Sequence, residues 1–374
     1  VTNQANILAD RVTFNQDSIN AFGGLDVKTS DTGSIGIFSN IQSSVVQGQA
    51  TNAEDAFTFA SNNISLGATG RDVVVGTIGS ATGGSISFSG IDVDGNQTLA
   101  GGTSTLTLAG NVTLDTTNGG QSVGNSLNLM ADVTGLGDIL SSGEGNTTLT
   151  VAAGTGSVEV GKLSQNNQIN TFTVSSGGNI TLNDLFVAGN TVDIKVAGTL
   201  QANGQIQDTV GDVSLFTSGG DINLTQNVTS NGVLSLTADA GSLSTSNVSA
   251  GSGFNVATSG NVQFGGDVTV NNGDTSIASA AGSVETVGSF ASTGTGNVSV
   301  KASGPLILGS SVASGGQLSL TSTTGSLTAN NPISSTTGLN LSAGTDLSVN
   351  SIDVSNGSTN VVAGGNLKFN QNVS

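Results

Sequence analysis

Apolar and polar positions alternate along this chain in short bursts rather than in long runs. The stretch "GGDINLTQNVTSNGVLSLTAD", residues 219–239, shows the pattern. Ile222 and Leu224 alternate with polar neighbours, Val228 stands alone in a polar patch, and Leu234 and Leu236 alternate again. Gly219-Gly220, Thr225-Gln226-Asn227 and Asn231-Gly232 interrupt the run. Alternation with a period of two predicts strands, but none of these pieces is long enough to stand alone as a hairpin arm.

The unit recurs. Its first element begins at Ile180, Leu200, Ile222, Leu243, Val262, Val284, Leu306, Leu327, Leu347 and Leu367, in steps of 19 to 22 residues. A turn triplet such as "GGN", "GGD", "AGS" or "SGN" precedes nearly every one. Each unit then has a middle apolar position, as in "QNVTS" or "NPISS", and ends on an alternating trio such as "LSLTA", "FNVAT" or "VSVKA". A near-constant period with slips at the turns is a solenoid signature. The predicted fold is all-β, a right-handed parallel β-helix with about three short strands and about 21 residues per coil in the C-terminal half. Each strand would be held by its copies in the coils above and below.

Residues 1–374 read as one β-solenoid segment, with less regular coils over 1–84 and regular ones over 85–374. Ile35, Ile64, Ile86 and Val112 are expected to start equivalent elements, with outward loops near 42–56 and 115–147. Phe88, Phe172, Phe254, Phe264 and Phe369 fall on inward positions, where they are expected to stack along the axis. Asn-Gly at 203–204, 231–232 and 356–357 marks corners expected to need a positive φ. Nothing at either end reads as a cap, so the segment is expected to belong to a longer rod or to stack end to end.

Composition narrows the function. Only 9% of residues are charged, so Ser, Thr, Asn and Gly must carry solubility. The 25 acids outnumber the 7 bases, giving a formal charge of −18. Arg11, Lys28, Arg71, Lys162, Lys195, Lys301 and Lys368 are scattered singly, which argues against nucleic acid and against anionic membrane surfaces. No apolar run is long enough to span a bilayer, so no membrane insertion is expected within the segment. Cysteine is absent, and with it any disulfide framework or thiolate zinc site.

The outward residue of the third trio is small and polar at Thr107, Asn128, Thr150, Thr173, Ser214, Ser235, Asn255, Ser299, Ser319 and Asn340. The plain reading is a solvated flat face; the sharper one is a contact ladder for glycans, ice or a neighbouring rod. Polysaccharide-cleaving enzymes built on this fold need a carboxylate pair or a metal-bound carboxylate cluster with a base. Asp92 and Asp94 in "GIDVDGN" are the best local pair, with Glu159 beside Lys162, and Glu285, as isolated charges. His, Trp and Tyr are all absent, removing the commonest general base and the best sugar-stacking rings. No Gly-rich nonapeptide or EF-hand calcium loop is present. The sequence therefore assigns no catalytic, cofactor-binding or metal residue and no cofactor. Chance supplies most of the N-x-S/T sequons, among them Asn63, Asn179 and Asn223, in so Asn- and Ser-rich a chain, so they do not by themselves imply glycosylation.

The units "GGNITL", "GGDINLTQNVTS…LSLTADAGSL" and "GSLTANNPISSTTGLNLSAGTDLSV" resemble those of large bacterial exoproteins of the filamentous-haemagglutinin kind, over most of residues 60–374. Autotransporter passengers share this style of repeat. The resemblance implies a secreted or surface-bound rod that mediates attachment or cell-surface assembly. Its two-partner-secreted members carry N-P-N-L and N-P-N-G-I motifs that engage an outer-membrane transporter; neither is here, and "NNPIS" (330–334) reads as a corner. The expected localisation is extracellular or at the bacterial cell surface. Expected partners are other copies of the chain, end to end or side by side, or a glycan or cell-surface receptor. Two alternatives stand beside this stalk or fibre reading: a polysaccharide-active or glycan-binding β-helix, and a subunit of a surface layer or end-to-end filament.

Overall fold

The computed structural model describes residues 148–163, 169–371 and 373, together with the backbone of the strands lying between Ala5 and Gly135. Every described element is a strand, and the described strands pair in parallel, between one coil and the next. The chain divides into two compact units, Val1–Asn203 and Gly204–Ser374.

In the second unit the predicted repeat is laid out directly. The first ladder runs through Ile222–Leu224, Leu243–Thr245, Val262–Phe264, Val284–Thr286, Leu306–Leu308, Leu327–Ala329, Leu347–Val349 and Leu367–Phe369, in register throughout. The second runs from Ile206–Asp208 through Val228–Ser230 to Ile352–Val354. The third, of five- and six-residue strands, runs from Asp212–Thr217 to Thr359–Ala363. A three-residue strand persists because both its edges are paired, so its polar backbone is satisfied without length of its own.

Alternation decides what lies inside. Ile222, Leu224, Val228, Ser230, Leu234, Leu236 and Ala238 are buried, and the alternate residues Asn223, Thr229, Ser235 and Thr237 face out. Each fully buried Val, Leu or Ile contributes about 1.5–3 kcal/mol relative to exposure, and the stack repeats that gain coil after coil. The last inward position of the third ladder is small: Thr217, Ala238, Thr258, Ser279, Ala302, Ser322 and Ala343. There the chain bends, and a hydroxyl donates to a corner glycine carbonyl, from Thr217 to Gly220 at 2.6 Å and from Ser322 to Gly304 at 2.7 Å.

The corners themselves need glycine for clearance. A Cβ on Gly241 would run into the carbonyl group of Gly220 in the preceding coil. Of the three Asn-Gly corners expected to need a positive φ, only the one at Gly357 has it, at 98°. At Gly232 the reason for glycine is different, because a Cβ would lie 2.8 Å from the Gly211 carbonyl.

The first unit keeps the three ladders but spaces them unevenly. The first joins Ala5, Leu25, Phe57, Ile86, Leu127, Val158, Ile180 and Leu200. The second joins Val12, Ile35, Ile64, Leu106, Val133, Leu163 and Leu185. The third joins Ile41, Val75, Leu114, Val151, Val174 and Ile194. Ile35 and Ile64 are therefore equivalent, but Ile86 belongs to the first ladder and Val112 to the third, contrary to the expected single series. Alternation marks which residues point inward and not which wall they belong to. Within the expected loop at 115–147, Leu127–Gly135 is a strand serving the first ladder and then the second. The expected loop at 42–56 lies almost wholly outside the described residues.

The phenylalanines only partly follow expectation. Phe172, Phe254 and Phe264 are fully buried, as is Phe290. Phe254 and Phe264 meet edge to face, with centroids 5.8 Å apart and planes at 67°, one from the third ladder and one from the first. The contact crosses the core instead of stacking along the axis. Phe369 is 37% exposed, because among the described residues no strand covers the far side of Leu367–Phe369. The side chain of Phe88 lies outside the described residues.

Candidate functional surface

Strand ladders leave unpaired backbone N–H groups where the chain turns, and the sequence meets them with Asn, Asp and Ser. Before the first ladder, the side-chain oxygens of Asp221, Ser242, Asn261 and Asp346 accept the N–H of Ser242, Asn261, Ser283 and Asn366 at 2.7–3.0 Å. In the other unit Ser157 and Asn179 do the same for Asn179 and Thr199. Before the second ladder, Asn247 accepts from Asp267 at 2.8 Å and Asp267 from Ser289 at 2.7 Å. Before the third, Asp212 accepts from Val233, Asp274 from Asn297 and Asn297 from Gln317.

All three corners thus carry a polar ladder, and in each of these bonds the donor lies in the later coil. The acids at these corners act as caps on the next coil's backbone. The Ser289 hydroxyl and N–H hold the Asp267 carboxyl below its ordinary pKa of 3.8. Asn179, Asp221, Ser242 and Asn261 close the turn triplets "GGN", "GGD", "AGS" and "SGN", which mark a turn without showing what its polar residue caps. Asp267 closes a further "GGD", before the second ladder, and Asp346 directly follows "AGT", so the signal for these two lies in the same kind of turn.

Asp92 and Asp94 lie outside the described residues. Glu159 stands on Val158–Leu163, in register with Asn128 and Thr181, while the Lys162 side chain lies outside the described residues. Glu285 stands between Gln263 and Ile307 on the first ladder. Among the described residues no group of three or more His, Cys, Asp or Glu converges in a way that could hold a metal ion. Lys195 pairs with Asp193 at 2.6 Å on the outer surface, where such a pair contributes little.

The outward stripe is continuous in the second unit. Ser214, Ser235, Asn255, Ser276, Ser299, Ser319, Asn340 and Asn360 occupy one register column of the third ladder, so Ser276 and Asn360 join the expected set. In the first unit the stripe divides. Thr150 and Thr173 lie on the third ladder in register with Asp193, but Thr107 belongs to the second ladder and Asn128 to the first. No helix of the described residues is long and apolar enough to cross a membrane. No family model, curated protein or solved structure matches the chain.

Proposed function

We propose that this chain is a spacing element, a β-helical stalk or fibre segment of an extracellular bacterial surface protein that mediates attachment or cell-surface assembly. The observation that carries the reading is the use of corner polar groups in the second unit. Asp212, Asp221, Asp267, Asp274 and Asp346 each spend a carboxylate oxygen capping the next coil. Such caps join coil to coil instead of converging on a substrate. The repeat-unit resemblance to filamentous-haemagglutinin-type exoproteins supports the extracellular setting and the attachment role.

A spacer tolerates loss of whole coils, whereas a site does not. Deleting residues 262–305 removes two periods of the first ladder, from Val262 to the residue before Leu306. In the parent surface protein this deletion should leave attachment intact and shorten the segment by about 10 Å, two strand spacings of about 4.8 Å, as seen by electron microscopy. Complete loss of attachment from a variant that still folds would overturn the proposal.

A further inference from the structure

Two corners of the second unit carry a chemistry that the ladders do not use. Asn272-Gly273 and Asn356-Gly357 are Asn-Gly steps with exposed asparagines, and their glycines have φ of 80° and 98°. The backbone N–H groups of Asn272 and Asn356 are anchored on the Gly251 and Thr336 carbonyls, at 3.0 and 2.8 Å. Neither side-chain amide, nor the N–H of the glycine after it, has a hydrogen-bond partner among the described residues. Asn231-Gly232 is the internal contrast. There the Asn231 side-chain amide donates to the Thr209 carbonyl at 2.7 Å, and the Gly232 N–H donates to the Gly211 carbonyl at 2.8 Å.

We propose that Asn272 and Asn356 are sites of spontaneous deamidation through a succinimide, with water as the only co-reactant, and that Asn231 is protected. Hydroxide removes the amide proton of Gly357, and the nitrogen's electron pair forms a bond to Cγ of Asn356. The carboxamide C–N bond breaks, and the amide nitrogen leaves as ammonia, taking a proton from water. Water then opens the five-membered ring. Addition at the side-chain carbonyl gives aspartate; addition at the backbone carbonyl gives isoaspartate, whose main chain runs through the former side-chain methylene. Glycine in the following position favours the first step, having no Cβ to crowd the attacking nitrogen. Gly273 and Asn272 react in the same way.

Each event adds a negative charge to a chain already at −18. Isoaspartate at 356 also lengthens the corner between Ile352–Val354 and Thr359–Ala363, against the register that Thr359–Ala363 holds with Leu339–Ala343. The reaction would thus mark the age of the folded chain and loosen one strand of its third ladder.

The test incubates the full folded chain at mildly alkaline pH. Peptide mapping by mass spectrometry follows each asparagine, and enzymatic methylation counts isoaspartate. Asn272 and Asn356 should lose their amides about tenfold faster than Asn231, which must first break two hydrogen bonds. The three rates should converge when the chain is unfolded in urea, and Asn356→Gln should abolish reaction at 356 while leaving the far-UV spectrum unchanged. Equal rates at the three sites in the folded chain, or intact Asn272 and Asn356 under conditions where the unfolded chain reacts, would overturn the proposal.

Discussion

Asp267 accepts both the backbone N–H and the hydroxyl of Ser289, at 2.7 and 2.8 Å, from a residue 22 positions later and one coil further on. Both bonds favour the ionised carboxylate, so its pKa in the folded chain lies below the ordinary 3.8. A depressed carboxylate stabilises the fold at pH values above its unfolded pKa, and that contribution is lost as pH falls through the folded value. The urea midpoint of the native chain, compared with that of Asp267→Asn, should show a constant difference from neutrality down to about pH 4. Below that the difference should shrink. A difference that grows on acidification would contradict the assignment.

Much of this architecture was legible because Ile222, Leu243, Val262 and their successors recur at nearly fixed distance with the same turn before them. Alternation and period then point to the same stacking. The reading weakened where the period did, since Ile64, Ile86 and Val112 all look alike locally and only the strand pairing separates their ladders. The corner caps were harder for another reason. Asp221 and Ser242 are unremarkable turn residues until the coils are stacked, when the acceptor of one comes under the N–H of the other. Phe369 is in register with buried Val349 yet exposed itself, because exposure depends on what covers the coil, which alternation does not encode.

The contact between Phe254 and Phe264 makes a test of the core. Both rings are fully buried, so each substitution by Ala should cost about 3–5 kcal/mol. Because the rings touch edge to face, the double variant should cost less than the sum by about 0.5–1.5 kcal/mol. Phe369→Ala, at a 37% exposed position, should cost under about 2 kcal/mol. Native-state hydrogen exchange in the affected coils measures all four, and is preferable to a global midpoint in a repeat array whose coils can open separately.

Glycines of similar appearance should differ in their response to substitution. Gly241→Ala places a Cβ against the Gly220 carbonyl, backbone that cannot move without shifting a whole coil. It should destabilise by about 1–3 kcal/mol. At Gly265 the nearest atom to an added Cβ is the Thr245 carbonyl oxygen at 3.4 Å, an ordinary contact. Gly265→Ala should be neutral to within about 0.5 kcal/mol. Equal urea midpoints for the two variants would remove close coil stacking as the reason for glycine at 241.

Asp208 departs from the small or apolar residues that hold its place in the following coils. It ends Ile206–Asp208 with its side chain turned inward and fully buried. At the equivalent position later coils carry Ser230, Ala250, Val270, Ser292, Ser314 and Ser335. One carboxylate oxygen is well used, accepting the N–H of Val210 and of Gly211 at 3.0 and 2.9 Å. The other is buried with no partner among the described residues. A bare buried acceptor carries its full desolvation cost. Asp208→Ser keeps an oxygen that can accept a corner N–H, as Ser does in such turns, and removes the unpartnered one. It should raise stability by about 1 kcal/mol, read as an increased urea midpoint. Asp208→Ala loses the corner bonds as well and should fall below the Ser variant. If both variants instead lose stability equally, the second oxygen is engaged in the native protein, and the aspartate holds the corner with both of its oxygens.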